Sequence, residues 1–168
     1  HDICQVKSTP VAGLETLIPK AAVESGNPIF VESMLFGQGA EGAAYESGLQ
    51  VQLWGIQMED PLSGAMPTKE TLPDDRIFDA DNDGEAGVTF AVGGDFCLMR
   101  AVQRTLSSFS GTLQADGRII GSGPVVSEQF LIEATNGFCE TSWEVRSNDA
   151  YNNAIMVRVD DKGLNLDT

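Results

Sequence analysis

The chain has 168 residues, enough for one ordinary domain that buries a core without help from metals or disulfides. Hydrophobic residues make up 42% and charged residues 21%, a globular composition that argues against a disordered chain. Asp and Glu number 25 against 10 Lys and Arg, and the resulting net charge of −15 argues against nucleic acid and anionic lipid as partners while favouring cations.

In chain order, the sequence starts at His1 with no basic, apolar leader, and we expect a processed, mature chain. Residues 1–16 read as an extended segment carrying Cys4, Val6, Val11 and Leu14. Residues 14–25 carry a short helical pattern interrupted by Pro19. Pro28 to Phe36 and Leu49 to Ile56 read as strands, the second alternating strictly and so predicting one apolar and one wet face. The Gly/Ala-rich stretch 37–44 between them reads as a mobile loop. Met58 to Asp75 holds Pro61, Pro67 and Pro73 and is a long irregular excursion, which calls for an anchor or a purpose.

Beyond Gly87 the chain reads as strands almost without interruption. Candidates are Gly87 to Val92, Cys97 to Leu106, Phe109 to Leu113, Arg118 to Gly121, Glu128 to Ala134, Thr141 to Arg146 and Asn153 to Val159. Asp116-Gly117 and Asn136-Gly137 are hairpin signals between them. The prediction is one all-β domain over 1–168, an antiparallel meander rolled into a β-barrel or β-sandwich. It carries a calcium-binding loop and a long Pro-rich loop. No run of about 18 apolar residues occurs, so no membrane-spanning helix is expected.

The acidic loop Asp79-Ala80-Asp81-Asn82-Asp83-Gly84-Glu85 is the one constellation with chemistry in it. Calcium takes roughly six to eight oxygens, and carboxylates at the first, third and fifth positions of a curled loop converge on one centre. Gly84 permits the sharp turn that follows, and Glu85 would offer its backbone carbonyl. A calcium loop with flanking helices would place a bidentate Glu at position twelve, but Phe90 stands there and the flanks are β-like. Asp60, Asp74 and Asp75 are the candidates for the missing ligands. The plain alternative is a solvated Asp/Asn/Gly turn. Against it, three carboxylates this close repel one another unless a cation relieves them. The expected metal set is Asp79, Asp81, Asp83 and Glu85, the cofactor Ca2+, and the ion's role structural.

Of the cysteines Cys4, Cys97 and Cys139, none forms a CxxC, and a lone His completes no common zinc site. In an exported protein two should pair, and Cys97 with Cys139 is the expected disulfide because both lie near strand starts. Cys4 is then left free or bridges to another chain.

The stretch from Pro67 to Asp75, the string Phe78-Asp79-x-Asp81-x-Asp83-Gly84-x-x-Gly87-Val88-Thr89 and Val102-Gln103-Arg104 together resemble a family of exported proteins from myxobacteria and related bacteria. The likeness runs on through Gly117-Arg118-Ile119-x-Gly121 and Glu128-Gln129, covering roughly residues 65–160. The resemblance implies a secreted or cell-envelope location and a calcium loop, and implies no activity. Cys97 and Cys139 lie outside that pattern, so the disulfide rests on this sequence alone.

We expect no catalytic residues. The single His is His1, and no nucleophile elbow, P-loop or dinucleotide fingerprint appears. Trp54 and Trp143 sit on alternating segments and read as core rather than as sugar platforms. Arg100 and Arg104 share a strand face by parity and are expected to pair with Glu128 or Glu144 rather than to bind an anion. The leading reading is a calcium-stabilised structural or adhesive envelope protein that acts by protein–protein contact, including contact with copies of itself. A β-barrel carrier of a small ligand is the first alternative, and a carboxylate-based hydrolase the second.

Overall fold

The computed structural model describes residues 16–17, 21, 29–30, 34–35, 39–92, 97–140, 144–146 and 152–157. Among them the chain is all-β. The strands are β1 Thr16–Leu17, β2 Ile29–Phe30, β3 Met34–Leu35, β4 Ala44–Glu46, β5 Gln50–Trp54, β6 Val88–Val92, β7 Cys97–Ser107, β8 Ser110–Leu113, β9 Ile119–Ser122, β10 Val125–Ala134, β11 Glu144–Arg146 and β12 Ala154–Met156. Two single 3-10 turns, Lys69–Thr71 and Gly137–Cys139, interrupt them. No helix among the described residues is long and apolar enough to cross a membrane.

The chain gathers into two compact units that take alternate stretches of it. The first contains Val51–Thr105 and Ser127–Glu144, together with β1. The second contains Ile29–Gln50, Leu106–Val126 and the stretch from Val145 onward. Of the two closures expected, the barrel is not formed, because both sheets are open antiparallel arrays that end in strands of two or three residues. Strands that short leave too few backbone groups to close a ring.

The first unit is built on neighbouring strands β1, β6, β7 and β10, with β5 also pairing β7. In β6 and β7, Val88 faces Ala101, Phe90 faces Met99 and Val92 faces Cys97. Successive strand residues point to opposite faces, and both faces are covered here. Trp54, Val88, Phe90, Cys97, Met99, Ala101 and Leu131 build one apolar cluster. Their sequence neighbours Leu53, Val102 and Phe130 enter another, with Ile56, Met58, Met66, Leu72, Ile77 and Ile132. That two-sided burial explains why β7 alternates only partly in sequence, and it corrects the expectation of a wet face on Leu49 to Ile56.

The long loop supplies much of the second cluster and is anchored by arginines. The Arg104 guanidinium, 8% exposed, pairs with Glu128 and donates to the Gly64 carbonyl at 2.7 Å. Arg76 bonds to Asp74 and to the Ala65 carbonyl. Residues 14–25 do not form the expected helix throughout: Thr16 and Leu17 are strand β1, paired with Val92 and Ala91. Apart from Thr16, the expected extended segment 1–16 and its Cys4 lie outside the described residues, as does Trp143.

In the second unit the strand order is β12-β9-β8-β4-β3. Asp116-Gly117 forms the expected turn between β8 and β9, with Gly117 at φ 83° and the Gln114 amide donating to the Arg118 carbonyl at 2.8 Å. Gly111 stands opposite Gly121 in this hairpin, and a Cβ on Gly121 would lie 2.5 Å from the Gly111 Cα. The Ser47 hydroxyl accepts from the Phe109 amide at 2.8 Å, and the Tyr45 and Phe109 rings pack at 5.8 Å. β4 occupies the end of the stretch read as a mobile loop. Its partner β8 imposes the extended form that its own residues do not specify.

Candidate metal centre

The acidic loop follows the long Pro-rich excursion, starts beside the end of β5 and returns at the start of β6. Its base is fixed by backbone bonds: the Phe78 amide donates to the Gly55 carbonyl, the Gly87 amide to Phe78, and the Ala80 amide to Gly87, all at 2.9–3.0 Å. Two glycines make this junction possible. Gly55 (φ 69°) and Gly87 (φ 100°) pass so closely that a Cβ on Gly55 would sit 2.9 Å from the Gly87 Cα. Such positive φ values favour glycine. Phe78 and Ala80 then tuck into the first apolar cluster, and Ala80 is 2% exposed.

Above that base the carboxylates curl inward because main-chain amides hold them. Asp79 accepts from the amides of Asp83 (3.3 Å) and Gly84 (2.9 Å). Asp83 accepts from the Glu85 amide at 2.9 Å. Thr89 orients two acids at once, its amide donating to Asp81 at 2.8 Å and its hydroxyl to Asp83. Asn82 (φ 60°) and Gly84 (φ 91°) give the loop its left-handed turns. One carboxylate oxygen from each of Asp79, Asp81 and Asp83 lies within 4.8 Å of the others, an arrangement that could hold a metal ion.

The electrostatics are asymmetric. The Gly84 amide holds the Asp79 carboxyl below its ordinary value. Burial pushes Asp81 up, and the charges of Asp83 and Asp79 add to the rise. The Asp81 Oδ1 atom is buried and has no hydrogen-bond partner. A buried carboxylate oxygen with no donor is costly, and a cation is the group that satisfies it among other carboxylates.

Of the four expected metal residues, the structure brings together the carboxylates of Asp79, Asp81 and Asp83. The Glu85 carboxylate points elsewhere and pairs with Arg100, so only its main chain is left to serve as sequence reasoning proposed. Phe90, 3% exposed, is core. The suggested extra ligands are engaged outside the cluster. Asp74 pairs with Arg76, Asp60 accepts from the Leu62 and Ser63 amides, and Asp75 lines an open cleft with Glu59, Asp60 and Arg76. Arg100 pairs with Glu85 and Glu133, while Arg104 takes Glu128 as expected; the Glu144 side chain lies outside the described residues. Sequence reasoning missed Thr89, whose place in the Gly87-Val88-Thr89 string was the available signal. It also missed Gly55, which carries no local signal at all.

The sulfurs of Cys97 and Cys139 lie at disulfide distance, 2.08 Å, with Cα atoms 6.4 Å apart. The Asn136-Gly137 signal lies in the connection between the neighbouring strands β10 and β11, where Gly137 opens the 3-10 turn that carries Cys139 to Cys97. No protein-family model matches the chain, and neither a curated protein nor a solved structure matches it.

Proposed function

We propose that the loop Asp79–Glu85 binds calcium and that the ion stabilises an exported or cell-envelope all-β protein that works by contact rather than by catalysis. The observation that carries this reading is the buried, unpartnered Oδ1 of Asp81, a residue whose carboxylate clusters with those of Asp79 and Asp83. The disulfide-distance cysteine pair is compatible with a non-cytoplasmic protein. The family resemblance points to the same location.

The test is thermal unfolding in millimolar calcium against chelator. A site with a Kd of about 10 µM, held at 100 times that concentration, stabilises the fold by about 2.7 kcal/mol. In a chain of this size that raises Tm by about 5–10 °C. No shift overturns the calcium reading. The raised Asp81 carboxyl supplies a second sign. Its contribution to stability is present below its ordinary value of 3.8 and is lost as pH rises through the raised value, so at neutral pH it is a penalty in the cation-free protein. Asp81→Asn should therefore melt higher than the native chain in chelator, yet show no response to calcium.

The contact reading assigns the segment before Thr16, which itself pairs with Val92, to strand addition on a second copy, with Cys4 able to lock the contact. Light scattering should give a larger mass for the intact chain than for one lacking residues 1–13. A monomer at every concentration overturns it.

A further inference from the structure

Ala80 stands between two carboxylates of the metal cluster, yet its side chain lies in the apolar cluster that contains Cys97, which is 0% exposed. Cys139 packs against the same cluster and lies at bonding distance from Cys97. The β6–β7 pairing joins the two places a second time. Val92 faces Cys97 at one end, and three residue pairs further on Thr89, which holds Asp81 and Asp83, faces Arg100, which holds Glu85. Thr135 closes β10 onto β7 beside the bridge, its amide donating to the Leu98 carbonyl at 3.0 Å and its hydroxyl accepting from the Leu98 amide at 3.1 Å.

We propose that the metal loop and the Cys97–Cys139 bridge are one coupled unit: the bound ion protects the disulfide from thiols, and reduction of the disulfide weakens ion binding. This rests on the reading of the loop as a calcium site. The reductant is a dithiol. One of its thiolates attacks a cystine sulfur, its second thiol displaces the mixed disulfide, and two protein thiols and one oxidised dithiol result. Cys97 is fully buried and Cys139 partly buried against the same cluster, so attack at the Cys97 sulfur requires the cluster to open. Attack at Cys139 without opening would make reduction insensitive to calcium and overturn the coupling. Opening that draws Ala80 out of the cluster also disperses the carboxylates, so the open form loses the ion. The population of that form then falls by a factor of about 1 + [Ca2+]/Kd, close to 100-fold at 100 times Kd. Linkage makes the effect mutual: whatever the ion does to the bridge, loss of the bridge does to ion affinity.

The experiment uses the full chain. Calcium affinity is first measured by calorimetric titration. Reduction by dithiothreitol, in the range where the rate is first order in dithiol, is then followed by alkylation and peptide mapping of Cys97 and Cys139, in calcium and in chelator. The expected result is slowing in proportion to occupancy, near 100-fold at 100 times Kd. A second variant, Ala80→Gly, keeps all three carboxylates and should bind calcium while giving a several-fold smaller protection ratio. Equal reduction rates in a protein that binds calcium overturn the coupling and leave the calcium reading standing. Absence of binding overturns both, and an unchanged ratio in Ala80→Gly overturns the route through Ala80.

Discussion

Replacing Gly87 with Ala is expected to destabilise the cation-free protein by about 3 kcal/mol and to abolish calcium binding with it. Two effects add. A residue with a Cβ is strained at φ 100°, and the new methyl would sit 2.8 Å from the Ala101 carbonyl oxygen and 2.8 Å from the Ile132 Cδ1. The carbonyl belongs to the paired strand β7 and cannot move without breaking the ladder that positions Thr89. Gly84 is the internal control. It has φ 91°, but a Cβ there meets nothing within 4 Å, so Gly84→Ala should cost only about 1 kcal/mol. Urea unfolding in chelator reads the stabilities and calcium titration reads the site. If Gly87→Ala is no worse than Gly84→Ala, the close approach at the base of the loop does not hold the site together.

Replacing Cys97 and Cys139 together with Ala should cost about 4 kcal/mol, because a bridge between these two disulfide-distance cysteines would close a loop spanning 42 positions and so limit the unfolded chain. That is a large share of the roughly 5–15 kcal/mol that holds a domain folded. Ala keeps the buried site apolar, so the loss reports the cross-link rather than a stranded polar group. Equilibrium unfolding of the oxidised native chain and the double variant, both without reductant, gives the difference. A gap below about 1 kcal/mol would mean that the pair is unbridged in solution.

What was legible in the sequence was local. The spacing of Asp79, Asp81, Asp83 and Gly84 could be read because the loop is shaped by its own amides and left-handed turns. The strands from Val88 to Ala134 could be read because each carries enough β-branched and apolar residues to declare itself. The failures are places where a distant partner decides. Thr16–Leu17 is extended because Ala91 and Val92 offer it a ladder, against a local helical pattern. Ala44–Glu46 is a strand because β8 pairs with it. Asn136-Gly137 lies between the neighbouring strands β10 and β11, but at a 3-10 turn whose form those two residues do not announce. Arg100 found Glu85, an acid of the loop, because the β6–β7 register sets Thr89 opposite it, and register is not written in either strand alone.

The alternation of the two units along the chain bears on how the molecule is made. A polypeptide emerging N-terminus first releases β6 and β7 well before β10, their neighbour in the sheet. It releases β3, β4, β8 and β9 before β12, which closes the edge of the other sheet. Neither unit can be completed from a contiguous piece of the sequence. Distant strand pairings of this kind form slowly and leave β edges open in the meantime. Completion of either sheet therefore waits on strands made late in the chain.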